Sequence, residues 1–268
     1  MRHITDEITG FNGGGFSSQW SLNLDVGPTY KEIILDTNLD DDQLTQIMMT
    51  LNGDTFVDVS GADLQMLEAY KGNAAETGKF VIPFSDFSAK TQEGQDLTEL
   101  VTMEGDNLTI VVKTAAATAQ QVTDSLVPTL TAQAVMASGL EPDGSKKQRI
   151  TLPRMYSELV QAGATGRNVY KNFNRGPRIR RMHLGSTVTA LEIKRDKLTR
   201  FDSTKDMNEF LLKREGLVPQ AGYYHFDPLM YKFAKSDFLQ TAGQSFEVNP
   251  TVSAAGDVPV IFETVETV

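Results

Sequence analysis

Apolar and polar residues alternate along much of the chain with the period of two that marks half-buried strands. From Ser18 to Val26, Trp20, Leu22, Leu24 and Val26 alternate with polar neighbours, and Gly27-Pro28 then turns the chain. Tyr30 to Asp36, Gln43 to Leu51, Thr55 to Val59, Phe80 to Phe84, Leu97 to Thr102, Leu108 to Lys113 and Thr129 to Ala137 read as further strands. Gly139 to Arg149 (GLEPDGSKKQR) is polar, charged and turn-rich, and reads as a linker. Beyond it, Met155 to Ala162 reads as one or two helical turns and Arg167 to Phe173 as a strand. Ile179 to Leu184, Thr187 to Arg195, Gly222 to Phe226, Ser245 to Val252 and Val258 to Thr267 follow as strands. Residues 1–15 end in three glycines and read as a flexible arm or turn.

The pattern occurs twice. Tyr30 to Gly72 and Arg178 to Gly216 each run through two alternating stretches and a polar turn into a short amphipathic helix. Ser60 with Asp63, and Ser203 with Asp206, set a hydroxyl and an acid where a helix start needs them. Leu64, Leu67 and Tyr70 form the apolar face of the first helix, and Met207, Phe210 and Leu211 that of the second. Lys71-Gly72 and Arg214-Glu215-Gly216 close them. Downstream, Asn107 to Lys113 matches Ser245 to Val252, and Thr129 to Met136 matches Val258 to Val265. Many short strands with few helices indicate an all-β fold. We therefore expect two tandem eight-stranded jelly rolls, a double jelly roll, each with a short helix inserted between strands. The first spans residues 1–140 with its arm, and the second, with the linker, 141–268.

Charge divides the same way. Residues 1–140 carry 6 Lys+Arg against 20 Asp+Glu, and residues 141–268 carry 19 against 15. Such polarity can orient a molecule between unlike surroundings, or reflect drift of solvated charge. The chain has no cysteine, which excludes disulfides, thiol catalysis and cysteine metal sites. No apolar run approaches the ~20 residues of a membrane span, and no Sec-type leader is visible at the N-terminus.

Catalytic patterns are lacking. The three histidines, His3, His183 and His225, show no metal-site spacing, and the last two sit in expected strands as packed or surface residues. Gly72 to Lys79 has the wrong spacing and the wrong context for a phosphate loop. Asp36, Asn38, Asp40, Asp41 and Asp42 set oxygens at alternate positions like the start of a calcium loop. Asp41, however, stands where such a loop needs glycine, and no glutamate closes it. A solvated connection between strands is the preferred reading. A loose structural calcium site, completed by a neighbouring subunit, is the alternative. Arg175, Arg178, Arg180 and Arg181 form a basic run that could meet lipid or nucleic-acid phosphates, or pair with acids of the other domain or another subunit. Pairing is preferred. Tyr170 and Phe173 are too sparse a platform for single-stranded nucleic acid, and no sequence-specific nucleic-acid contact is expected.

The order of features, carried by Trp20 to Asp36, Thr45 to Gly72 and Gly176-Pro177-Arg178 to Leu184 with the strand-turn-helix that follows, resembles the double jelly-roll major capsid proteins of tailless, membrane-containing icosahedral bacteriophages of the corticovirus and autolykivirus type. The resemblance implies a non-enzymatic homotrimer whose six rolls form a pseudo-hexagonal tile. It also implies neighbouring capsomers, penton and minor capsid proteins as partners, contact with an internal membrane, and a virion protein made in a bacterial cytoplasm. The competing expectation is a jelly-roll carbohydrate-binding or adhesion module, since fold alone does not decide function.

Overall fold

The computed structural model describes residues 4–171, 173, 175–233 and 237–268; His3 lies outside them. The first half contributes β1 (Ile4–Ile8), β2 (Asn12–Gly13), β3 (Gln19–Leu24), β4 (Thr29–Thr37), β5 (Leu44–Leu51), β6 (Asp54–Val59), β7 (Lys79–Pro83), β8 (Leu100–Val101), β9 (Leu108–Thr114) and β10 (Leu130–Ala137). Helix α1 (Gly61–Lys71) lies between β6 and β7, and α2 (Gln92–Asp96) and α3 (Ala119–Thr123) are single turns. One sheet runs β1-β10-β4-β7, with β8 also on β4; the facing one runs β6-β5-β9-β3-β2. Period-two alternation places Ile33 and Leu35 in the core and leaves Glu32 and Ile34 half-buried on the outer face.

The second half contributes β11 (Thr151–Ala162), β12 (Gly166–Arg167), β13 (Arg178–Gly185), β14 (Val188–Arg195), β15 (Leu198–Thr204), β16 (Tyr223–Phe226), β17 (Leu239–Gln240), β18 (Phe246–Val252) and β19 (Gly256–Thr267), with α4 (Lys205–Arg214) between β15 and β16. Its sheets run β11-β19-β13-β16, with β17 on β13, and β15-β14-β18-β12. Strand for strand, these repeat β1-β10-β4-β7 and β6-β5-β9-β3. The halves are two copies of one jelly roll, each with its helix after the corresponding strand. Strand β6 of the first roll pairs in parallel with β11 of the second, Val57 beside Met155 and Asp58 beside Tyr156. That pairing fuses one sheet from each roll into a ten-stranded sheet across the molecule.

Several expectations are corrected. Residues 4–8, read as part of a flexible arm, form β1, an edge strand antiparallel to β10 from Ile4 opposite Met136 to Ile8 opposite Ala132. Met155 to Ala162 is not helical: the stretch belongs to β11, which pairs with β19 over its whole length. The ladder of a long partner strand outweighs local helix propensity there. Among the described residues between Arg167 and Phe173 only β12 and a bridge from Tyr170 to Val248 form, and of Leu97 to Thr102 only β8. Strand β15 was not anticipated. It follows β14 through a two-residue hairpin in which Asp196 and Lys197 both take positive φ, the primed turn that suits the twist of paired strands.

The helix starts differ. At α1 the capping box forms as expected: the Asp63 N–H donates to Ser60 Oγ at 3.1 Å and the Ser60 N–H to Asp63 Oδ2 at 2.9 Å. Gly72 ends the helix at φ +74°. At α4 the cap is Thr204, and Ser203 belongs to β15. Met207 and Phe210, expected in the core, are 56% and 57% exposed; Asn208 and Leu212 are buried instead. Accordingly, Ser60→Ala is expected to cost about 1 kcal/mol and Ser203→Ala close to nothing, a contrast that urea melts of the two variants would measure.

Candidate functional site

The most concentrated polar chemistry lies where the rolls meet. In β13 a bulge places Arg180 outside the ladder, so that Ile179 faces Thr264 and Arg181 faces Glu263. Both arginines are thereby buried, at 4% and 3% exposure. Arg181 reaches three carboxylates: Asp227 at 2.9 Å, Glu263 at 3.2 Å and, across the joint, Asp86 of the first roll at 2.6 Å. Arg180 stands 3.9 Å from Asp86. Burial works against the charge of Asp86, but Arg181 and Arg180 outweigh it and hold the carboxyl below its usual range. Glu263 is likewise held well down by Arg181 and Lys71 despite its burial. The same carboxylates hold Arg181 charged. A buried cluster of this kind is stable only when every member keeps its partners.

A second network adjoins it. His183 in β13 and His225 in β16 are fully buried, with their Nδ1 atoms 2.6 Å apart. The backbone N–H of Gln220 donates to His225 Nε2 at 2.9 Å, so that nitrogen carries no proton. His225 Nδ1–H therefore donates to His183 Nδ1, and the remaining proton of His183 sits on Nε2, 3.5 Å from Glu263 Oε1. Burial, with His183 adding to it, depresses the basicity of His225 to about 2. Tyr70, from α1 of the first roll, stacks on His225 at 4.3 Å and donates to Asp227 at 3.1 Å. Burial, with the Asp227 charge, holds its phenol well above the usual range.

The arginine run thus divides. Arg180 and Arg181 are buried where the rolls meet. Arg175 is exposed and donates to the Gln244 carbonyl at 3.2 Å, and Arg178 is half-buried opposite Gln240 and Val265. The charge asymmetry between the halves is used inside the chain. Glu104 pairs with Lys146, Glu99 with Lys147, Asp106 with Arg149 and Asp54 with Arg154, each an acid of the first half and a base of the second. Sequence reasoning missed Lys31, the bulged residue of β4 at the position that Arg180 holds in β13; it is buried and pairs with Asp96 at 2.5 Å. Its signal was a charged pair, Lys31-Glu32, inside the otherwise apolar stretch from Tyr30 to Leu35.

The acidic loop is not gathered round a point. Asp36 pairs with Lys79, and Asn38 binds the 127–129 loop through both Oδ1 and Nδ2. The Asp40 N–H donates to Gln43, and Asp41 accepts from the Asp42 N–H. Among the described residues, no three His, Asp or Glu side chains are clustered as a metal site, and no helix is long and apolar enough to cross a membrane. Trp20, the only tryptophan, is buried in the first core.

No curated protein sequence matches the chain. The crystal structure of the major capsid protein P2 from bacteriophage PM2 is similar over 99% of this chain and 98% of its own, with a TM-score of 0.86 and 17% identity. The STIV MCP structure gives a TM-score of 0.71 at 10% identity over 100% of this chain and 97% of that one. The Faustovirus major capsid protein gives 0.59 at 8%, over 98% and 90%. Family models for the viral coat protein P2 match in two parts, the N-terminal domain over residues 5–137 and the C-terminal domain over residues 152–268. With almost its whole length covered by those two domains, the chain belongs to the viral coat protein P2 family.

Proposed function

We propose that this coat protein is the major shell subunit of an icosahedral virion, working as a homotrimer in which six jelly rolls form a pseudo-hexagonal tile. The observation that carries the reading is the duplicated roll held as one body by the ten-stranded sheet and the Arg181 cluster. Two like rolls per chain let a threefold assembly present near-sixfold edges to its neighbours. The work of such a protein is done by buried interface, and obligate contacts commonly exceed ~2,000 Å². Neighbouring tiles, penton and minor capsid proteins and an internal lipid layer are the partners that this reading entails, with synthesis in a bacterial cytoplasm. Light scattering on the purified chain at micromolar concentration tests it: a species of three times the 29.5 kDa chain mass is expected, and a persistent monomer would overturn it.

A further inference from the structure

The joint inside the chain serves as a template for a joint between chains. Within the chain, the helix side of the first roll docks on the outer sheet face of the second. Tyr70 of α1 stacks on His225 and lies edge-on to His183 at 5.0 Å. Asp63, two turns earlier on the same helix, is near enough to add to the effect of burial in raising the Tyr223 phenol. Met66 lies between them and is buried. The docking stripe of α1 is therefore Asp63, Met66 and Tyr70, spaced three and four residues apart as one helix face requires. Beside it, β6 pairs with β11.

Among the described residues, the helix stripe, the sheet edges and the receiving face of that joint each have a counterpart that is left open. Aligning the caps Ser60 and Thr204 sets an offset of 144 residues. Asp63, Met66 and Tyr70 then correspond to Met207, Phe210 and Arg214 of α4, all three exposed. Strand β15, the counterpart of β6, is a free sheet edge, and so is β1, the counterpart of β11. The receiving face has its counterpart too. Because Lys31 and Arg180 occupy the same bulge, Glu32 corresponds to Arg181, Ile34 to His183 and Val135 to Glu263. Ile34 faces Val81 as His183 faces His225, so Val81 takes the place of His225. Where the second roll shows a polar face, the first shows Ile34, Val81 and Val135, all half-buried, with Glu32 beside them.

We propose that the Met207–Phe210–Arg214 stripe of one copy docks on the Glu32–Ile34–Val81–Val135 face of a second copy, with the edges of β15 and β1 brought together. The proposal rests on the oligomeric coat-protein reading above and names its contact surfaces. The chemistry of the two faces is complementary. Met207 and Phe210 supply an apolar knob that water otherwise covers, and the receiving sheet supplies aliphatic side chains in place of the histidines. Arg214 replaces Tyr70 and meets Glu32, which replaces Arg181: where the joint inside the chain sets a phenol beside an arginine, the joint between chains sets an arginine beside a carboxylate. The two surfaces differ, so the contact is head-to-tail, and head-to-tail contacts close into rings when the rotation allows.

The test combines mass measurement with a charge exchange. Phe210→Glu is expected to weaken association by about 10- to 100-fold, and Val81→Glu similarly. Mixing these two variants should yield a heterodimer, since each retains the face that the other lacks; a head-to-tail contact alone gives that product. Arg214→Glu should shift the chain towards monomer, and Glu32→Arg in the same chain should restore the assembly. Thermal melts of each variant as a monomer check that it is folded. Should a variant fail to fold, Arg214→Cys with Val81→Cys, in a chain that otherwise has no cysteine, should crosslink between copies with a short bis-maleimide, whereas either cysteine alone should not. A wild-type oligomer that these changes leave intact would overturn the inference and leave the oligomeric reading standing. A wild-type chain that is monomeric would overturn both.

Discussion

Arg181→Ala is expected to destabilise the chain by about 3–5 kcal/mol, the cost of stripping the partner from buried charge. The guanidinium contacts Asp86, Asp227 and Glu263 together, at 2.6, 2.9 and 3.2 Å. Asp227 and Glu263 have side chains only 1% and 2% exposed, so water cannot replace the lost cation without opening the joint. Arg180 does not substitute for it: it stands 3.9 Å from Asp86, and its Nε has no hydrogen-bond partner among the described residues. Arg181→Met should rescue little, because it restores volume and not charge. Combining it with Asp86→Asn, Asp227→Asn and Glu263→Gln should recover much of the loss, since a neutral cluster needs no counter-ion. Urea denaturation followed by tryptophan fluorescence and by circular dichroism would measure this. Trp20 reports the first roll alone, so the variant should also separate the two signals as the rolls come apart. A loss below about 1 kcal/mol would mean that the carboxylates are hydrated and that the cluster does not hold the rolls together.

What the sequence disclosed and what it hid follow from the range of the interactions involved. Strands such as β4 and β9 were legible because one buried face imposes period two on neighbouring residues. The start of α1 was legible because Ser60 and Asp63 satisfy each other across three positions. Strand β1 was not: Ile4–Ile8 is almost wholly exposed, and its extension comes from the ladder of β10, more than a hundred residues away. Phe210 and Met207 carry the spacing of a core-facing helix, and a rule built on one chain reads such a stripe as interior. The arginine run was visible as charge, but its burial depends on the bulge in β13 and on carboxylates 46, 82 and 95 residues away. His183 and His225 were placed correctly in strands. Their contact depends on the pairing of β13 with β16, which no local pattern encodes.

That contact makes stability depend on pH in a window above the carboxylate range. His225 has a folded basicity of about 2 against an ordinary value of 6.5. A histidine depressed on folding binds its proton more readily in the unfolded chain. Its neutral form thus contributes full stability above pH 6.5, and the contribution is lost progressively as pH falls below that value. The slope approaches 1.36 kcal/mol per unit, so about 2–3 kcal/mol should be lost over roughly two units below 6.5. The structural cause is specific. A proton added at His225 Nε2 ejects the Gln220 N–H. Lys205 also disfavours the charge on His225, and Glu263 and Asp227 are already committed to Arg181. Asp86 and Glu263, held below their ordinary values, lose their own contributions only at lower pH, as the unfolded carboxyls begin to bind protons near 4. His225→Phe should therefore lower stability at neutral pH, by leaving His183 Nδ1 and the Gln220 N–H without partners, yet flatten the slope between about pH 6.5 and 4.5. Urea midpoints across that interval decide the matter: an unchanged slope in the variant would assign the acid lability to other groups, whereas a slope reduced by one proton would place it at the histidine pair, in the joint that holds the two rolls as one body.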